Sequence, residues 1–249
     1  MQFSKAKSAK IPLIGSDSND TILGSNDGDY IDGAKGNDFL SGGSGSDLIW
    51  GNDGNDIVNG GAGNDSLHGG KGNDFIAGGN GNDVLFEYSG SNRLWGHQGN
   101  DIFVLSGGSN IASGGEGNDG FSLMGRQNST LNGGEGSDRY SFGIDVAAIG
   151  DNPNPLENAS GIFRIQENFK DKNWGTIDLS SLNLEWINPT TGKRPGGGSN
   201  TIKNDKWVSL VDDNIVYDIR YTAGGATLKI ILEGAARDAS TIGSHVILS

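Results

Sequence analysis

The chain has no cysteine, so no disulfide framework can hold it together. Basic residues are scarce: Lys plus Arg number 18 against 31 Asp plus Glu, for a net charge of −13. No basic stripe runs along the sequence, which argues against nucleic acid as a partner. Hydrophobic residues make up only 33%, and no apolar run approaches the length of a membrane span. The first ten residues carry Lys5, Lys7 and Lys10 with no apolar segment behind them, so no Sec signal peptide is expected there. Histidine is limited to His68, His97 and His245, none in an H-E-x-x-H arrangement, and no G-x-S-x-G elbow occurs. Phosphate-binding spacings are missing too. The zinc-protease, lipase and nucleotide-binding classes lose their support.

What the chain has in excess is glycine, 44 of 249 residues, and aspartate at a fixed interval. Asp20, Asp29, Asp38, Asp47, Asp56, Asp65, Asp74, Asp83, Asn92, Asp101, Asn110 and Asp119 follow one another every nine residues. Asn128 continues the series at the same interval, and Asp138 follows after a one-residue slip. Two residues beyond these positions stand Ile22, Ile31, Leu40, Ile49, Val58, Leu67, Ile76, Leu85, Leu94, Phe103, Ala112, Phe121 and Tyr140. The unit reads G-G-x-G-x-D-x-U-x, with U large and apolar.

Six turn residues and a three-residue strand cannot form a helix, and one inward side chain is no core. Copies must stack above and below it. Two units make a coil, with one short strand on each of two facing sheets. Stacked strands lie about 4.8 Å apart, so aspartates eighteen residues apart form columns. Two bare charges at that spacing repel by about 3.5 kcal/mol at an effective dielectric of 20. Counter-ions are therefore required. Calcium accepts six to eight oxygens from carboxylates and carbonyls, whereas magnesium demands near-ideal octahedral geometry. The predicted carboxylate ligands are Asp20, Asp29, Asp38, Asp47, Asp56, Asp65, Asp74, Asp83, Asp101, Asp119 and Asp138. The predicted carbonyl ligands are Gly33, Gly36, Gly42, Gly43, Gly45, Gly51, Gly54, Gly60, Gly61, Gly63, Gly69, Gly70, Gly72, Gly78, Gly79 and Gly81. Glycine allows positive φ at such turns. Asn37, Asn55, Asn64, Asn73, Asn82, Asn100 and Asn118, just before the aspartates, suit a left-handed backbone as well.

The two columns differ. The long one holds Asp29, Asp47, Asp65, Asp83, Asp101, Asp119 and Asp138. The short one holds Asp20, Asp38, Asp56 and Asp74, then Asn92, Asn110 and Asn128. One ion per gap between aspartates gives roughly nine calcium ions. They would more than cancel the acidic charge and take over the stapling role of the absent disulfides.

The nonapeptide unit is that of the RTX (repeats-in-toxin) calcium-binding family, which the chain resembles over about half its length. The remainder resembles the segment following the repeats in serralysin-type proteases and mannuronan C-5-epimerases. The residues carrying that likeness are Ile165 to Phe169, Ile177-Asp178-Leu179-Ser180-Ser181-Leu182, Leu228 to Gly234 and Val246-Ile247-Leu248. The resemblance implies an all-β parallel β-roll, a right-handed β-helix, closed by a C-terminal β-rich cap. It also implies secretion by the type I machinery through an uncleaved C-terminal signal. Residues 1–14 are expected to form a lead-in, 15–142 the roll, 143–161 a linker or capping loop, and 162–249 the cap. Strands are expected at Ile162–Ile165, Ile177–Leu184, Trp207–Val211, Ile215–Tyr221 and Leu228–Leu232, with a loop over Asn188–Asn200.

The expected function is that of a secreted, non-catalytic calcium-binding protein or module. The alternative is a carbohydrate-binding or surface-attachment module, since epimerase repeat modules associate with alginate. Outward-facing Leu48, Trp50, Val84, Phe86, Ile102 and Val104 on one sheet, and Phe39, Ile57, Phe75, Trp95 and Ile111 on the other, could form a contact face. The cations available to an anionic polysaccharide are Lys35, Lys71, Arg93, Arg126 and Arg139. His68 and His97 are expected at solvated surface positions.

Overall fold

A computed structural model describes residues 12–143 together with the strand segments 3–5, 161–166, 175–178, 208–211, 214–220, 227–233 and 246–247. Within them every regular element is a strand. The nonapeptide period becomes a coil of eighteen residues: Phe39 pairs with Ile57, and Ile57 with Phe75, all in parallel register. One sheet holds β2 (Leu13–Ile14), β4 (Tyr30–Asp32), β6 (Leu48–Asp53), β8 (Ser66–Lys71), β10 (Val84–Glu87) and β12 (Ile102–Gly108). The facing sheet holds β1 (Phe3–Lys5), β3 (Thr21–Leu23), β5 (Phe39–Ser44), β7 (Ile57–Ala62), β9 (Phe75–Asn80), β11 (Arg93–Gln98) and β13 (Ile111–Glu116). The chain is an all-β parallel solenoid of about seven turns.

The long strand β14 (Gly120–Glu135) belongs to both sheets: its first part pairs with β12 and its last with β13. From there β15 (Asp138–Gly143), β17 (Gly175–Asp178) and β21 (Val246–Ile247) continue one sheet in parallel. The other sheet runs on through β16 (Gly161–Gln166) and β20 (Thr227–Glu233). There parallel pairing ends, and β19 (Asn214–Arg220) and β18 (Val208–Val211) add antiparallel. The described segments overlap the expected strands, covering Ile162–Ile165 and Leu228–Leu232 in full and the described parts of Ile177–Leu184, Trp207–Val211 and Ile215–Tyr221. Residues 179–184 and the loop over Asn188–Asn200 lie outside the described residues.

Most repeat strands run six residues rather than three. The ladder continues through the turn glycines, as where Gly43 pairs with Gly61. Along the axis, the apolar residue of every unit is buried, from Ile22 to Tyr140. In the last coils one row turns aromatic, and Phe121 stacks on Phe103 and Tyr140 with centroids 4.6 and 4.9 Å apart. The facing row carries the small, buried Ala112, which suits close packing against the larger rings.

Two expectations need correction. The slip falls earlier than the sequence placed it, at 125–126, because Gly108 already pairs with Gln127. Ser129, not Asn128, therefore sits in register with Asn110, whose amide donates to Ser129 Oγ at 3.4 Å. Ser129 is buried and Asn128 exposed, and Leu131 joins the core. His68 is not solvated. It lies buried between Trp50 and Phe86, with centroids 3.7 and 4.3 Å away and rings nearly parallel. Burial pushes its imidazole down to about 4, so it is a neutral ladder member. His97 is exposed, as expected.

Candidate metal centre

Each aspartate of the series closes a turn and is buried under the next coil. Asp47, Asp65, Asp83, Asp101 and Asp119 of the long column are at most 3% exposed. Asp38, Asp56 and Asp74 of the short column are equally hidden. One oxygen of each is satisfied the same way. The amide of the aspartate one coil earlier donates to Oδ1: Asp47 to Asp65 at 2.8 Å, Asp65 to Asp83 at 2.8 Å, Asp56 to Asp74 at 2.7 Å. The other oxygen, Oδ2, has no hydrogen-bond partner among the described residues at all eight positions. Buried acceptors are rarely left so, since the cost is of order 1–3 kcal/mol and more for a charge.

These oxygens share a location. Oδ2 of Asp56 lies 2.5 Å from where a Cβ on Gly51 would stand, and the carbonyl oxygen of Gly69, one coil on, lies 2.5 Å from that point. At Gly33 the same two contacts, Asp38 Oδ2 and Gly51 O, are 2.6 and 2.9 Å. Carbonyls of Gly33, Gly42, Gly60 and Gly78 stand likewise beside Gly15, Gly24, Gly42 and Gly60. Where a unit keeps its first glycine, as at Gly33, Gly42, Gly51 and Gly60, the residue is needed for space, because any side chain would fill a cradle lined by oxygen. Positive φ belongs to the second and fourth positions, as at Gly43 (108°) and Gly45 (104°). Where the second glycine is replaced, Ala34, Asn52 and His97 still hold positive φ. The carbonyls of Gly36, Gly43, Gly45, Gly54, Gly61, Gly63, Gly72 and Gly81 face the turn glycine of the following coil, and that of Gly70 accepts from Ser89 Oγ at 3.2 Å.

Burial is the main influence on the carboxyls. It pushes Asp56 and Asp119 up to about 7, and Asp47, Asp65, Asp83 and Asp101 up to about 6, against the opposing amide bond. Asp38 and Asp74 are raised by the same cause. Among the described residues no three His, Cys, Asp or Glu side chains converge. A cation there must take most of its ligands from backbone carbonyls, which suits calcium and not zinc. A hard divalent ion bound at the cradle would neutralise the paired columns.

The ends of the columns are chemically different. Asp20 and Asp29 open them, and their Oδ2 atoms accept from the amides and hydroxyls of Ser16 and Ser25 at 2.6–2.9 Å. Beyond Asp74 the short column supplies its own donors. Asn92 Nδ2 donates to Ser89 O at 2.7 Å and Asn110 Oδ1 at 3.1 Å, and Asn110 Nδ2 to Gly107 O at 3.0 Å. Gln127 Nε2 donates to Leu105 O at 2.7 Å, and its Oε1 accepts from Ser129.

Two functional roles escaped the sequence. The asparagines before the aspartates do not take positive φ. Their side chains zip the coils: Asn55 N donates to Asn37 Oδ1 at 2.7 Å, and Asn100 N to Asn82 Oδ1 at 2.7 Å. Glu87, in the place of a repeat glycine, is fully buried, and burial pushes it up to about 9, with the Asp74 charge adding to the rise. An acid inside a glycine turn was the available signal.

No curated protein matches the chain. Among solved structures, the AlgE6R3 subunit of the Azotobacter vinelandii mannuronan C5-epimerase, known in solution, is similar at 22% identity. The match covers 68% of this chain and 80% of that one, with a TM-score of 0.30. The family model of the RTX calcium-binding nonapeptide repeat matches four times, over residues 14–49, 50–85, 88–121 and 125–145. These copies account for half of the sequence, and the chain belongs to the RTX calcium-binding nonapeptide-repeat family.

Proposed function

We propose that this chain is a secreted, non-catalytic calcium-binding module whose roll folds when it meets extracellular calcium. The observation that carries the proposal is the set of eight buried aspartate oxygens without partners among the described residues, six of which (Asp38, Asp47, Asp56, Asp65, Asp101 and Asp119) face a backbone carbonyl across the first-glycine position. Without cations such columns are self-repelling and desolvated, and short strands cannot offset that. Metal binding and folding then become one equilibrium. The site is made of the eleven aspartates and the turn carbonyls, and it takes roughly nine ions at one per gap. Residues 1–14 lead in, 15–142 form the roll, 143–161 link, and 162–249 cap it and carry the type I secretion signal. Circular dichroism during a calcium titration tests the reading: β signal rises with calcium and not with magnesium. A fully β-structured protein in excess chelator would overturn it.

A second reading, a polysaccharide-binding or surface-attachment module, is favoured by one feature. Phe39, Ile57 and Phe75, 41–45% accessible, line one exposed row that continues through Arg93 to Ile111, 51% accessible, with Trp95 stacked on Phe75 at 4.5 Å. An anionic, alginate-type glycan suits it less, since Lys35 and Lys71 are already paired with Asp17 and Asp53. Polysaccharide pull-down in calcium, with neutral and anionic glycans side by side, decides between the two.

A further inference from the structure

The short column ends in a substitution that keeps its charge. Gly69 and Asp74 follow the repeat, but one coil on Glu87 takes the glycine position and Asn92 the aspartate position. The carboxylate has moved five residues back along the chain while the count stays the same.

Glu87 is 0% exposed. Its Oε2 accepts from Asn92 Nδ2 at 3.0 Å, and Asn92 is itself fixed on Ser89 and Asn110. Its Oε1 has no hydrogen-bond partner among the described residues. That oxygen faces the open side of Gly69, where Asp74 Oδ2, also without a partner, stands 2.8 Å from the position of an added Cβ. One coil earlier the same place beside Gly51 is flanked by Asp56 Oδ2 and the carbonyl of Gly69. Glu87 thus supplies with a side chain the oxygen that the repeat supplies with its backbone. One coil further on, the position is Leu105, buried and apolar, so no further cradle follows.

We propose that Glu87 and Asp74 together bind a hard divalent cation of the calcium class, closing the metal row of the short column with a site outside the nonapeptide pattern. This rests on the calcium reading above. Two carboxylates facing one dry cradle repel each other unless a proton or a cation lies between them, and a divalent cation satisfies both at once. A second carboxylate in place of a carbonyl raises ligand charge, which strengthens calcium sites. Asn92 is a positioning residue: its amide orients Glu87 and adds no charge of its own.

Calcium stoichiometry of the full chain, by equilibrium dialysis with radioactive calcium and by calorimetry, tests this. Glu87→Gln keeps shape, and Glu87→Leu copies Leu105, so folding survives in at least one. Both should bind one calcium fewer than the natural chain while reaching the same β signal at saturation. The exchange Glu87→Gly with Asn92→Asp restores the repeat and should recover the full count. Unchanged stoichiometry and affinity in both single variants overturn the proposal. Loss of the ion in the exchange variant as well overturns the claim that Glu87 stands in for the repeat's own ligands. A natural chain that binds no calcium would instead refute the broader reading, before any variant is compared.

Discussion

Asp65 accepts the amide of Asp47 on Oδ1 at 2.8 Å, while its Oδ2, buried under the next coil, has no partner among the described residues. One carboxylate thus does two things. It ties coil to coil through an amide hydrogen bond to one oxygen, and it presents a second oxygen that only a proton or a cation can satisfy.

The pH response follows from that second oxygen. Folded carboxyls at about 6 (Asp47, Asp65, Asp83, Asp101) and about 7 (Asp56, Asp119) lie above their ordinary value of 3.8. For a raised group, the stabilising contribution is fully present below the unfolded value and is lost as pH rises through the folded one. The calcium-free roll should therefore hold most β structure near pH 4 and lose it between about pH 4 and 7. Circular dichroism in metal-stripped buffer reads this directly. A calcium-free chain more structured at pH 8 than at pH 4.5 contradicts the assignment.

The columns should respond unequally to mutation. Asp65→Ala and Asp83→Ala each remove an unpartnered oxygen and should lower both bound calcium and its cooperativity. Asn110→Ala removes a donor to Gly107 and an acceptor for Asn92. It should cost about 1 kcal/mol per lost hydrogen bond and leave the calcium count unchanged. Equal loss of calcium from all three variants, by equilibrium dialysis, would contradict the asymmetry.

Gly51→Ala should damage one site. Its Cβ would meet Asp56 Oδ2 and Gly69 O, each at 2.5 Å, and backbone cannot yield cheaply. Gly120→Ala is the control, since its nearest neighbours lie at 3.9 and 4.0 Å. Calorimetry should show weakened calcium binding in the first variant and near-natural binding in the second.

A chain ending after Phe142 should need more calcium to fold, or should aggregate. It would lose β16 and β17, which pair with β14 and β15, and bare strand edges template further pairing. Circular dichroism and light scattering across a calcium titration check this. A truncated roll that folds at the same calcium concentration and stays monomeric removes the capping role of residues 162–249.

The sequence alone determined what is periodic. A nine-residue interval with aspartate and one apolar residue forces stacking at eighteen, so the two sheets, the core from Ile22 to Tyr140 and the two acidic columns were all legible. Whatever departs from the period was decided by tertiary structure. The slip could be placed only by strand register, which moved the turn position from Asn128 to Ser129. Asn37 and Asn55 look like turn residues in isolation, and their hydrogen bond exists only once coils lie face to face. His68 reads as outward by alternation, yet Trp50 and Phe86, eighteen residues to either side, bury it. Glu87 reads as a lost glycine, and only the stacked coil shows its carboxylate reaching Gly69 and Asp74. The reason is common to all four. Local sequence fixes the geometry of one turn, while contacts across coils depend on where the neighbouring turn lies.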